Sequence, residues 1–250
     1  MTCTSTSTST STSTSTGTRP RAAAARAEQQ RRRARTRRRL VLGAAALVVA
    51  IAAGVGVTLG SGAGSGGSPT AAAAVPPGVT PQGGVVVGSA AAPVHLVAYE
   101  DPQCPVCGRF EATNGPALRA AVAAGKVTVE YRMRSFLGTE SVRADNALAA
   151  AQAEGRFEQL REAIYSHQPP ERTGGFTTAD LLALGRGVGL TDPAYVQAVQ
   201  SMRYAAFVAA TDDRASKDGN VGTPQLLRDG RPLSDTQVFD PAAFAAAIAA

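Results

Sequence analysis

The chain has 250 residues and a formal net charge of +6, but the charge is concentrated near one end. Residues 19–39 carry ten Arg and one Glu, a surplus of nine, so the other 15 basic and 18 acidic residues leave the remainder at −3. The basicity that would otherwise mark a nucleic-acid partner is thus confined to a short tail, and no nucleic acid is expected as a partner of the mildly acidic remainder.

Residues 4–16 alternate Thr and Ser without interruption, which supplies no apolar face to bury. Residues 1–39 read as a disordered cytoplasmic tail. They abut LVLGAAALVVAIAAGVGVTL, Leu40–Leu59, twenty residues without a charge. A helix of that length spans ~30 Å, the thickness of a bilayer's hydrocarbon core. The preceding RRRARTRRR holds the N-terminal side in the cytoplasm and sends the rest outward. A single transmembrane helix over residues 40–60 is expected, retained as an anchor in the cell membrane; the alternative is an export signal removed by cleavage. Residues 61–84 are Gly, Ser, Ala and Pro almost throughout, with no charge, and read as a flexible linker. The folded domain is expected over residues 85–250.

Within it, Val94–Tyr99 (VHLVAY) is a short apolar run of strand type. Pro105–Ala124 follows as a helix with Pro in its first turn, where the missing N–H costs nothing. Gly125 stops that helix, and VTVEYRM, Val127–Met133, alternates as a second strand. Strand, helix and strand make a βαβ unit with parallel strands. A long helical stretch is expected over Ser141–Ser166, then a helix N-capped by Thr178, another opened by Asp192-Pro193, and one over Tyr204–Lys217. Gly219–Pro224 breaks the pattern. Gln225–Leu227, a turn at Asp229-Gly230 and Arg231–Leu233 read as a hairpin, with Pro232 confining its last strand to an edge. Ala242–Ala249 closes the chain as a helix.

The stretch YEDPQCPVCGRFE places Cys104 and Cys107 three residues apart, where the first helix begins. Half of a zinc site would need a second ligand pair. Outside the pair the chain holds only Cys3, on the far side of the span, and two isolated histidines. His95 reads as a core histidine and His167 as a C-terminal-turn residue, so no metal is expected. A purely structural bridge closing so short a loop removes little unfolded-state entropy and staples poorly. A redox couple accounts for the placement as well as the spacing. Cys104 sits where unpaired helical N–H groups and the macrodipole favour a thiolate, and Cys107, one turn inside, is aimed back at it.

With KVTVEYR, GRFEQLREAIY and VGTPQLL, this stretch makes residues 85–249 resemble the DsbA-like thiol–disulfide oxidoreductases of the thioredoxin fold. The resemblance implies an α/β thioredoxin-like fold with a helical insertion, about residues 141–218, between the βαβ unit and a C-terminal ββα unit. It implies Cys104 as nucleophile, Cys107 as resolving thiol, and Pro224 as a cis proline packed against the pair. Thr223 would offer backbone groups to a substrate strand, with Pro105 and Val106 beside it. Many relatives carry His where this chain has Val106, and a buried Glu where it has Ala98. Glu100 and Asp101 are the candidate proton relay instead.

The function implied is exchange of the CPVC disulfide with cysteines of substrate proteins outside the cytoplasm, as an oxidant, with no cofactor. The partners implied are proteins with free or mispaired cysteines and a separate membrane thiol oxidase or reductase. The alternatives are a reductase or isomerase on the same fold, and an anchored peptide-binding module with a static disulfide.

Overall fold

Five strands form one sheet in the order β1-β3-β2-β4-β5. The structure, a computed structural model, describes residues 73–220 and 222–249. The expected tail, span and first half of the linker lie outside them. No helix among the described residues is long and apolar enough to cross a membrane.

The centre of the sheet is the expected parallel pair, β2 (Val94–Glu100) and β3 (Val127–Met133). Their register sets Leu96 beside Val129 and Ala98 beside Tyr131, and all four side chains are buried. Between them runs α1, Pro105–Ala123, which continues through Pro116 and ends before Gly125 at φ +67°. Its buried stripe includes Cys107, Phe110, Glu111, Asn114 and Leu118, the spacing of one helical face. Phe110 meets Phe244 edge to face, with ring centroids 5.4 Å apart.

The helical insertion divides more finely than its sequence predicts. The stretch expected as one helix is two, α2 (Thr139–Ala153) and α3 (Phe157–Ser166), separated at Gly155 with φ +66°. α4 spans Thr178–Gly187, and its cap is Thr177 rather than Thr178: Thr177 and Asp180 complete a capping box. α5 (Pro193–Gln200) begins at Asp192 as expected, and α6 covers Ala205–Lys217. The run ALAAAQA keeps one side of α2 small, so α3, α4, α5 and α6 can all approach it.

After the insertion, β4 (Gln225–Arg228) pairs antiparallel with β2, and β5 (Arg231–Pro232) forms the edge. Asp229 and Gly230 between them both have positive φ, 50° and 77°, as a type I′ hairpin turn requires. A short helix not foreseen in the sequence, α7 (Asp235–Phe239), precedes α8 (Pro241–Ala247).

At the opposite edge lies another element not foreseen, β1 (Val85–Val87), antiparallel to β3. The packed domain also starts upstream of the expected boundary. Pro76 is buried, Val79 bridges to Val85, and the Thr80 hydroxyl donates to Glu130 Oε1 at 2.7 Å. The end of the presumed linker is therefore a strap laid against the domain. Gly and Pro dominate its composition, but Pro76 and Val79 are the apolar points that hold it down.

Candidate active site

β2 ends at Glu100, and a tight turn carries the chain from there to the start of α1. Asp101 builds that turn with its own carboxylate. Oδ1 accepts from the Gln103 backbone N–H (2.9 Å) and the Ser141 hydroxyl (2.6 Å), and Oδ2 accepts from the Leu137 N–H (3.2 Å). Gln168, from the segment after α3, fastens the turn from the other side. Its amide donates to the carbonyls of Pro102 (2.7 Å) and Cys104 (3.0 Å).

Cys104 occupies the N-cap position of α1 with extended backbone, and no side chain caps the helix there. The first-turn N–H groups are therefore free to face sulfur. The two cysteines of the pair are not bonded to each other, and their surroundings differ. Cys104 is pulled down to about 6. The Cys107 thiol donates to it, and the Thr223 side chain and the N–H groups of Cys107 and Val106 add to this, all against the opposing effect of burial. Cys107, fully buried, is pushed well above its usual range, first by burial, then by its bond to Cys104 and the charge of Glu100.

Facing the pair is the Thr223–Pro224 peptide bond, which is cis. The Cys104 thiol donates to the Thr223 carbonyl at 3.4 Å. The Thr223 hydroxyl is buried without a partner in this dithiol form, placed to stabilise a thiolate. Pro105 and Val106 lie exposed on the rim, and Phe136, 43% exposed, is a further large apolar side chain among the described residues.

Beneath the pair lies a charged cluster. Glu100, with no exposed surface, receives Arg161 in a two-pronged ion pair at 2.6–2.8 Å, and the same guanidinium reaches Glu111 at 2.5 Å. Arg161 also lies over the rings of Tyr131 and Tyr165, at 4.1 and 5.1 Å. Burial pushes Glu100 up to about 7, against the pull of Arg161. Burial likewise raises Asp101 to about 6, against its three hydrogen bonds. The two relay candidates thus differ in surroundings. Asp101 is tied into the turn, whereas Glu100 is an acid with a pKa near neutrality whose field reaches Cys107.

Ala98 is fully buried beside Tyr131. Glu100, two residues on, lies on the same face of the strand. A buried acid thus stands one pleat beyond Ala98, at the end of β2 beside the turn that leads to Cys104.

His95 corrects one expectation: it is exposed on β2 rather than buried in the core. His167 caps α3, with Nδ1 3.0 Å from the Ala163 carbonyl oxygen. Among the described residues no group of three or more side chains is arranged to hold a metal ion. Sequence reading missed Arg161, Glu111, Gln168 and Arg134. For Arg161 a signal existed: it falls between Leu160 and Ile164 in the apolar stripe Phe157, Leu160, Ile164, Tyr165, where a lone charge must find a buried partner.

A family model described as thioredoxin matches residues 80–249. The fold resembles oxidised BdbD from Bacillus subtilis, with a TM-score of 0.61 and 21% identity over 70% of this chain and 95% of that one. It also resembles reduced DsbA from Mycobacterium tuberculosis, with a TM-score of 0.57 and 26% identity over 66% of this chain and 90% of that one. A curated relative, the Na(+)/H(+) antiporter NhaA 3 of Salinispora tropica, is 29% identical over 157 residues, 61% of this chain. The match spans only 22% of the antiporter's length.

Proposed function

This chain belongs to the thioredoxin family, in the DsbA-like branch of thiol–disulfide oxidoreductases, and from that premise we propose that it oxidises cysteine pairs of exported proteins at the outer face of the cell membrane. The observation that carries this reading is the asymmetry of the two thiols. Cys104 is lowered to about 6 at a helix start, while Cys107 is buried and raised. A disulfide exchanger needs this division between an attacked, well-leaving sulfur and an internal resolving one.

In the oxidised protein, a client thiolate attacks Cys104 Sγ. The Cys104–Cys107 bond breaks, and Cys107 leaves with the electron pair and takes a proton. Glu100, with a pKa near neutrality and its field on Cys107, is the donor assigned here. A second client thiolate then attacks the client sulfur of the mixed disulfide. The client disulfide forms, Cys104 departs as thiolate, and the protein holds the two electrons as a dithiol.

Thr223 would hold the client strand through its backbone, Pro224 would close the site beside the sulfurs, and Pro105 and Val106 would contact the client's flanks. A separate membrane thiol oxidase would restore the disulfide. The low value at Cys104 favours the oxidant direction, because stabilising the reduced form makes a couple more oxidising. A potential between those of thioredoxin, about −270 mV, and DsbA, about −120 mV, is expected. Glutathione-equilibrated thiol titration measures it, and a value at or below thioredoxin's would assign the protein to reduction instead.

The role assignment has its own test. Cys107→Ser should accumulate mixed disulfides with client proteins, visible as ladders on non-reducing gels, whereas Cys104→Ser should accumulate almost none. Equal trapping by both variants would count against the assignment.

A further inference from the structure

Arg134 follows β3 directly and is 4% exposed. Its backbone N–H donates to the Glu100 carbonyl at 2.6 Å, extending the β2–β3 contact by one residue to the turn that leads to Cys104. Its guanidinium gathers separate segments. Nε donates to Asp212 Oδ1 of α6 at 2.7 Å, and one terminal nitrogen donates to Ser216 Oγ of α6 at 3.0 Å. The other terminal nitrogen donates to the Asn220 carbonyl at 3.3 Å and to the Asn220 side-chain oxygen. Asp212 also accepts from the Ser135 N–H at 3.1 Å.

Asn220 passes the restraint onward. Its amide donates to the Gly222 carbonyl at 3.0 Å and to Gln225 Oε1 at 2.6 Å. These acceptors stand on either side of Thr223 and Pro224. Phe136 covers the outer side of the guanidinium, 5.0 Å from its ring centroid.

We propose that Arg134 is a positioning residue for disulfide exchange: through Asn220 it fixes Thr223 opposite the Cys104 sulfur, and so sets both the stabilisation of the departing thiolate and the edge on which a client strand is held. The inference rests on the exchange function proposed above. It also follows from the chemistry of the donor. A planar guanidinium can bind α6 and Asn220 at once with fixed angles, which the point charge of a lysine cannot do. An ion pair that served stability alone would need only Asp212. The additional bonds to Asn220 and Ser216 make a strut between the end of β3, the insertion and the cis-proline segment.

The test uses Arg134→Lys, which keeps the charge, and Asn220→Ala, which leaves the Arg134–Asp212 pair and the bond to the residue 220 carbonyl intact and removes the side-chain links to Gly222 and Gln225. The first readout is the pH titration of Cys104 thiolate absorbance in the reduced full-length protein, which needs no client. The second is the rate of exchange between the oxidised protein and a cysteine-containing peptide. Both variants should titrate at higher pH than wild type and exchange more slowly by roughly tenfold to a hundredfold, the upper figure being the loss that a displacement of about 1 Å at a reacting centre produces. Asn220→Ala should do so while remaining folded, because the Arg134–Asp212 pair persists. If either variant folds and keeps the wild-type titration midpoint and rate, the proposal is overturned and Arg134 is structural. If wild type itself fails to exchange, the proposed function falls, while the titration alone still decides whether Arg134 sets the environment of Cys104.

Discussion

Cys104 ionises at about 6 in the folded dithiol, against an ordinary 9.0. A group whose value is depressed by folding contributes stability above its unfolded value and loses it as pH falls through the folded one. The reduced protein should therefore gain stability over the oxidised protein as pH rises from about 6 to about 9, with no further change below. Burial is the first cause of the raised Glu100 and Asp101 values, and burial does not depend on the redox state of the pair, so most of their contribution should drop out of the difference. Paired melting curves of the two forms across pH measure it, and a gap that shrinks as pH rises would contradict the assignment. Val106→His adds a hydrogen-bond donor and, when protonated, a positive charge beside Cys104. It should lower the thiolate's midpoint, widen the gap and make the potential less negative. A potential unmoved by Val106→His would mean that the third motif position does not reach the sulfur.

At the scale of elements, the closeness of α4 and α5 depends on one glycine. A Cβ at Gly185 would lie 2.6 Å from the Tyr195 hydroxyl oxygen and 2.7 Å from its ring, and Tyr195 is only 1% exposed. Gly185→Ala would gain about 1 kcal/mol of helix propensity. Overpacking against an immobile ring costs about 1–3 kcal/mol. The cost should win, giving a net destabilisation of roughly 1 kcal/mol, read as a lower urea midpoint at unchanged slope. A higher midpoint would show that Tyr195 can move aside.

The legibility of elements follows from their length and pattern. β2, α1 and β3 were readable because each carries a full period of apolar positions and a clear stop, as at Gly125. β1 has three valines after two glycines, and α7 has five residues behind a Ser234–Gln237 capping box. Both are too short to show a period, and tertiary contact fixes them. The site divides the same way. CPVC and Thr223-Pro224 are local motifs and stand out in the sequence. Arg161, Gln168 and Arg134 act through partners about 60 to 85 residues away, and only folding brings those partners together.

At the scale of the whole molecule, the Arg-rich segment and the uncharged Leu40–Leu59 stretch place Cys3 and Cys104 on opposite sides of a membrane in our proposal. Cys3 should react with a membrane-impermeant maleimide only after permeabilisation, while Cys104 in the reduced protein should react in intact cells. Labelling of Cys3 in intact cells would reverse the orientation. A mature N-terminus beyond Leu59 would replace the anchor with a cleaved signal.

The sheet ends at one edge on β5, two residues that include Pro232, and at the other on β1, three residues flanked by the strap that bridges Val79 to Val85. Among the described residues, neither edge offers a long row of free N–H and C=O groups to a passing chain. A domain whose proposed clients are unfolded polypeptides meets extended strands constantly, each a potential seed for intermolecular β-pairing. In the proposed function, blunt edges would confine such pairing to the backbone at Thr223, where contact would lead to chemistry and release. The same blunt edges would guard the protein against co-aggregating with the clients proposed for it.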